Sequence, residues 1–248
     1  MNKKVLSAGC SFIYGAELSD SPDYAGKDPL SKLTWPALWA KDNKFDYESV
    51  ATCGISNSGI SRLVIDYCEK NSTDSVIVQW TYPNRYELRF NDIVEKNYFS
   101  LNHWLANDLN SNIKDQNFKE FFKIFDKSPM QSIAKIWYNF ISYYDTDVYT
   151  YLKEVVYLSN YLKNKNIKFI FASVFHKYFM DIPKIKDPSI ENLYKISQTL
   201  PWVTFDNQGF IEWAESSGHF DREVWRHPND AAHLAAFNLI KNQLNTLL

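Results

Sequence analysis

Short apolar runs that end in small polar motifs alternate along this chain with stretches of helical period, and this alternation limits the fold more than any other feature. Residues 5–8 are apolar and run straight into Gly9-Cys10-Ser11. Residues 46–51 form a second strand candidate, just before Cys53-Gly54. Ile60, Leu63, Val64 and Tyr67 then recur at spacings of three and four, which predicts a helix. Ser56, Asn57 or Ser58 can cap it. Residues 76–80 read as a third strand, 167–174 as a fourth and 202–205 as a short fifth. Helical patterns cover about 130–141, 148–163 and 231–247. Strands separated by helices predict an α/β domain with a mainly parallel, five-stranded sheet covered on both faces.

Ligands of such sheets lie beyond the carboxyl ends of the strands, where the connections diverge. The polar motifs fall there: Ser11 after the first strand, Gly54 to Asn57 after the second and Thr81 after the third. A serine needs a base to become a nucleophile. The chain has 5 histidines, and His227 is the best placed. It precedes Pro228, which can open a helix, and Asn229 or Asp230, either of which can cap one. His233 follows six residues later, inside the predicted helix, where it can support loop backbone, bind a ligand group or pack. The pair does not share a helical face, and no H-E-x-x-H or cysteine cluster is present, so a metal site is disfavoured.

Other function classes recede on composition. Lys plus Arg is 27 and Asp plus Glu is 29, a net charge of −2, which argues against a general nucleic-acid binder. The 3 cysteines, Cys10, Cys53 and Cys68, form no C-x-x-C pair, and their odd number disfavours a disulfide scaffold. No run is long and apolar enough for a membrane span, and the N-terminus does not read as a signal peptide. The expected location is cytoplasmic or otherwise intracellular. No G-x-G-x-x-G or Walker loop points to a nucleotide.

Gly9-Cys10-Ser11, Gly54 with Ser56-Asn57, and the late His227-Pro228-Asn229 followed by His233 resemble the blocks of the SGNH (GDSL-type) hydrolases. The resemblance runs from about residue 3 to the C-terminus, with a divergent middle. It implies a three-layer, flavodoxin-like α/β/α fold and ester hydrolysis through an acyl-enzyme, without a cofactor. It assigns Ser11 as nucleophile, the N–H groups of Ser11 and Gly54 as oxyanion donors and His227 as base. Asn57 would shape the second loop, and Thr81 stands where the family has an asparagine donor. Two positions depart from the pattern. Cys10 replaces the usual Asp before the serine, and Val224 stands where the acid three residues before the histidine belongs. Asp221 or Glu223 reaching from a displaced loop, a backbone carbonyl in a Ser-His dyad, and loss of activity are the three ways to accommodate Val224.

Trp80, Tyr82, Arg85, His176, Trp225 and His233 are the candidate substrate-binding residues. Trp80 and Tyr82 offer an aromatic wall suited to a sugar ring, and Arg85 offers a planar fork for an anionic or hydroxyl-rich group. The chain, 1–248, reads as one domain. Residues 84–128 form an irregular or helical insertion, either decoration of the core or a lid or interaction element. Phe118, Phe121, Phe122 and Phe125 recur at helical spacing within it. The function expected is a serine esterase for short acyl, chiefly acetyl, esters on a carbohydrate or small molecule. The alternatives are an inactive glycan-binding or structural module and an O-acyltransferase.

Overall fold

The computed structural model describes residues 2–23, 28–89, 98–102, 127–177, 181–220 and 227–248. The chain begins with β1 (Lys4–Ala8), followed by the single turn α1 (Ser11–Tyr14) and then α2 (Trp35–Asp42). Next come β2 (Asp46–Ser49), α3 (Asn57–Lys70), β3 (Ser75–Trp80) and the short strands β4 (Tyr86–Arg89) and β5 (Tyr98–Leu101). The second half runs α4 (Lys127–Phe140), α5 (Tyr144–Asn164), β6 (Lys168–Ser173), α6 (Pro188–Gln198), α7 (Phe210–Ser216) and α8 (Asp230–Leu247).

The main sheet has four parallel strands in the order β2-β1-β3-β6. β3 is central and buried at every position, whereas β2 is an edge strand with half-exposed and exposed residues in alternation. Ile77 and Val78 are fully buried, and each contributes about 1.5–3 kcal/mol by leaving water. α3 packs on α5 and α5 on α6 in one helical layer, while α2 packs on α8 in the other. Trp39 ties the second layer by donating its indole N–H to Asn245 Oδ1 at 2.7 Å. The chain steps from β1 outward to β2, then back past β1 to β3. The divergence therefore lies between the carboxyl ends of β1 and β3, which is the ligand position of open α/β sheets.

The expected fifth strand is a single bridge. Trp202 pairs with Phe171 through Phe171 N–H on Pro201 O at 2.9 Å and Val203 N–H on Phe171 O at 2.8 Å. Asp206 and Asn207 both take positive φ, and the Phe205–Gln208 bridge closes the reversal, so the pairing stops there. Among the described residues the parallel sheet thus has four strands rather than five. Four short helices, α1, α2, α6 and α7, are absent from the sequence expectation.

The insertion starts as a β-structure, against the expectation of irregular or helical chain. Tyr86–Arg89 pairs antiparallel with Tyr98–Leu101. The pair is docked on α3 by Glu87, whose carboxylate takes Arg62 Nε at 3.0 Å and a second guanidinium nitrogen at 2.8 Å. The same guanidinium lies 3.8 Å from the centre of the Tyr98 ring. The aromatic series Phe118 to Phe125 lies outside the described residues. Removing one partner of a sheltered bidentate pair leaves its mate desolvated and uncompensated. Glu87→Ala is therefore expected to destabilise the fold by about 2 kcal/mol. A urea melt with a midpoint equal to wild type would contradict this.

Candidate active site

Ser11 is the first residue of α1, directly beyond β1, and only 7% of it is exposed. Gly9 is required here by space rather than by an unusual turn. A Cβ on it would stand 2.6 Å from Ile13 Cγ1 and 3.0 Å from the carbonyl oxygen of Gln79. β1 and β3 can therefore stay close as the chain leaves the sheet. The first N–H groups of a helix have no acceptor in their own helix, and Ser11 N–H is one of them. Cys10 is fully buried beside it. Burial pushes the nearby Cys53 thiol up to about 12, so it remains protonated at neutral pH.

His227 lies just before α8. Asn229 caps that helix by accepting the Ala232 N–H at 3.0 Å. The imidazole and the Phe12 ring meet edge to face, centroids 5.3 Å apart. Its Nε2 is 2.9 Å from Ser11 Oγ. Its Nδ1 is 2.7 Å from Glu17 Oε2. These partners define the tautomer: Nδ1–H donates to the carboxylate, and Nε2 accepts the serine hydroxyl.

Glu17 is the residue of this cluster that sequence reasoning missed. The carboxylate on His227 comes from the turn that follows α1, six residues after the serine, and not from the segment before the histidine. Asp221, Glu223 and Trp225 lie outside the described residues. Glu17 has φ +66°, a left-handed conformation rare for a residue with a side chain. The available sequence signal was an acid in the turn just beyond Gly15, itself left-handed at φ +79°.

Gly54 occupies the third place of a turn closed by Ile55 N–H on Thr52 O at 3.3 Å. Its φ of +74° favours glycine whatever the surrounding space. Thr52 N–H donates to Gly9 O at 3.1 Å, which holds this turn beside the exit of β1. The second strand of the insertion braces the same turn. Asn102 Nδ2 donates to Gly54 O at 3.3 Å, and Ser56 N–H donates to Ser100 Oγ at 3.2 Å.

Asn57, at the start of α3, reaches across to the end of β3. Its Oδ1 accepts Thr81 N–H at 2.9 Å and its Nδ2 donates to Tyr82 O at 3.1 Å. The loop after β3 is thereby fixed to the loop after β2. Arg85 is 8% exposed and donates through Nη1 to Thr81 Oγ1 at 2.9 Å. That oxygen keeps its own proton to donate. Arg85 also lies 5.1 Å from the centre of the Tyr82 ring, which packs on Phe175. His176 follows β6, and its backbone N–H is held by Glu212 Oε2 at 2.6 Å. Burial moves its imidazole below the usual histidine range.

Two expected substrate contacts are core residues. Trp80 has no exposed surface and packs edge-on against Tyr151 and Phe171. The last residue of a strand covered on both faces points into a helical layer, not into the cleft. His233 is 1% exposed, lies against Phe210 and accepts Trp35 N–H through Nδ1 at 3.2 Å. It holds the start of α2 against α8.

Burial pushes His233 down to about 3, so it is neutral in the folded protein at ordinary pH. Below 6.5 the unfolded chain takes up a proton there that the folded chain refuses. Stability from this group is complete above 6.5 and is lost as pH falls toward 3, by up to about 1.4 kcal/mol per pH unit. Urea melts at pH 4.5 and 6.5 are expected to show this slope, and His233→Gln should remove it. An equal slope in both proteins would refute the assignment.

Among the described residues, no helix is long and apolar enough to cross a membrane. No family model and no curated protein matches the chain. Solved structures do. One is a protein assigned to the lipolytic G-D-S-L family, from Desulfitobacterium hafniense DCB-2: TM-score 0.50 and 10% identity over 98% of this chain and 99% of that one. Another is the psychrotrophic esterase EstA from Pseudoalteromonas sp., in a structure inhibited by monoethylphosphonate: TM-score 0.51 and 9% identity over 99% of this chain and 98% of that one. At such identities the likeness is one of architecture, and the chain has the α/β/α fold of the SGNH (GDSL-type) lipolytic and esterase structures.

Proposed function

We propose that the protein is a serine ester hydrolase that works through an acyl-enzyme. The observation that carries this reading is the line from Ser11 Oγ to His227, 2.9 Å, and from His227 to Glu17, 2.7 Å. Three groups from chain segments more than 200 residues apart form the chain of hydrogen bonds that activates a serine. His227 Nε2 takes the Ser11 proton as Oγ attacks the acyl carbonyl. Glu17 holds the imidazole in its working tautomer and stabilises the imidazolium. Ser11 N–H and Gly54 N–H receive the oxyanion, with Thr81 Oγ–H as the third donor, and Asn57 keeps the last two loops in register. His227 then protonates the leaving alcohol. Water then attacks the acyl carbon as His227 takes its proton, the Ser11 Oγ–acyl bond breaks to release the acid, and His227 returns the proton to Oγ. No step requires a cofactor.

The substrate reading is a short acyl ester, with an acetyl group on a carbohydrate or similar small alcohol as the specific case. Tyr82 and Arg85 are the groups best suited to the alcohol side, through ring contact and hydrogen bonding. With Trp80 in the core, the proposed aromatic wall rests on Tyr82. The non-catalytic alternative drew on Val224 and Thr81; against it stand Glu17, whose carboxylate meets His227 where Val224 has none, and the Thr81 hydroxyl, offered here as a donor. Transfer to a second alcohol would use the same groups and is separated by product analysis.

The test pairs a panel of aryl and acetylated-sugar esters with an organophosphonate probe. Turnover of short esters and a phosphonyl adduct on the peptide bearing Ser11 are expected. No turnover across the panel together with an unlabelled Ser11 would overturn the proposal.

A further inference from the structure

We infer that Asp230 and Ser19 form a clasp that positions Glu17, although neither touches a reacting atom. The inference rests on the catalytic reading of Ser11, His227 and Glu17 and adds two positioning residues to it. Asp230 is the first residue of α8, three positions after His227. Ser19 is two positions after Glu17. The Asp230 carboxylate accepts Ser19 N–H at 3.1 Å through one oxygen and Ser19 Oγ–H at 2.5 Å through the other. The segment bearing the acid and the segment bearing the base are thus joined twice, once by the His227–Glu17 bond and once by this clasp.

The rest of the turn explains why a second fastening is needed. Leu18 N–H donates to Gly15 O at 3.2 Å and Ser21 N–H to Leu18 O at 2.9 Å, so the chain reverses within 15–21. Asp20 secures the outer side, accepting Ser31 Oγ–H at 2.5 Å and Lys32 N–H at 2.8 Å. Glu17 itself sits at φ +66°. A left-handed residue with a side chain costs about 1–2 kcal/mol and persists only where its surroundings over-determine it. Ser19 is exposed, and its clasp links this turn directly to α8. Without it the turn can relax about Glu17 and carry the carboxylate off Nδ1.

An ordinary explanation of Asp230 is an acid in the first turn of a helix, which depends on charge. The clasp depends on hydrogen bonding instead. Asp230→Asn removes the charge but keeps an acceptor for Ser19 N–H and a donor for Ser19 Oγ. Asp230→Ala removes both contacts. Expected for Asp230→Ala is a fall in kcat of about tenfold with KM unchanged, since only the aim of the base is disturbed. Asp230→Asn should stay within about threefold of wild type, and Ser19→Ala together with Asp230→Ala should be no worse than Asp230→Ala alone. Amide hydrogen exchange over residues 17–21 should accelerate in Asp230→Ala and not in Asp230→Asn.

Losses that follow melting temperature equally in both Asp230 variants would assign the residue to helix stability and overturn the clasp. Accelerated exchange with wild-type kcat would equally overturn its positioning role. Unchanged exchange in Asp230→Ala overturns it whether or not the protein hydrolyses esters. A wild-type chain without turnover or phosphonate labelling instead defeats the esterase reading.

Discussion

Changing Ser11 to alanine is expected to lower kcat by about 10⁶, to the level set by the oxyanion donors and substrate binding alone. The hydroxyl is the only atom lost. Its neighbours Gly9, Cys10 and Phe12 remain packed, so melting temperature should stay close to wild type. His227→Ala should cost about as much, and the double variant should cost little more, because nucleophile and base act as one unit. Hydrolysis of an aryl acetate by the purified variants measures this. Independent, multiplying losses would show that the two groups do not share a step. Wild-type rates in Ser11→Ala would remove the serine from the chemistry.

The second large effect belongs to Glu17. Glu17→Gln is expected to lower kcat by about 10⁴ with little change in KM. A glutamine amide can donate to Nδ1, which moves the ring proton to Nε2 and points it at Ser11. The base is then blocked although every heavy atom stays nearly in place. Glu17→Asp keeps the charge but shortens the arm by one methylene from a 2.7 Å contact, so an intermediate loss is expected. Steady-state kinetics of both variants decides the matter. A Glu17→Gln protein within tenfold of wild type would mean that another carboxylate orients His227, with Asp221 and Glu223 the next to test.

The contrast between these two residues shows what could be read in the chain before folding. Ser11 was visible because a glycine-containing turn follows an apolar run, and His227 because Pro228 and Asn229 announce a helix start. β1, β3 and β6 were visible because buried parallel strands are continuous apolar runs. Glu17 carried a weaker signal, that of an acid just beyond Gly15. It sits in a turn stabilised by contacts to Ser31, Lys32 and Asp230, and its partner is 210 residues away. Trp80 misled because a strand covered on both faces gives no period by which to tell core from cleft. His233 misled in a similar way, since an imidazole on the inner face of α8 can serve a backbone N–H. The strands β4 and β5 span four residues each, too few for alternation to stand out.

The distance along the chain between Ser11 and His227, 216 residues, has a consequence for synthesis. Ser11 and Glu17 leave the ribosome together, with β1 and the turn after α1. His227, and α8 just after it, follow more than 200 residues later. Contacts of such separation close late, because the intervening polypeptide must first be ordered. On the proposed reading a nascent chain therefore carries an inert hydroxyl until the segment of His227 and α8 docks, and the appearance of activity during translation would time that docking.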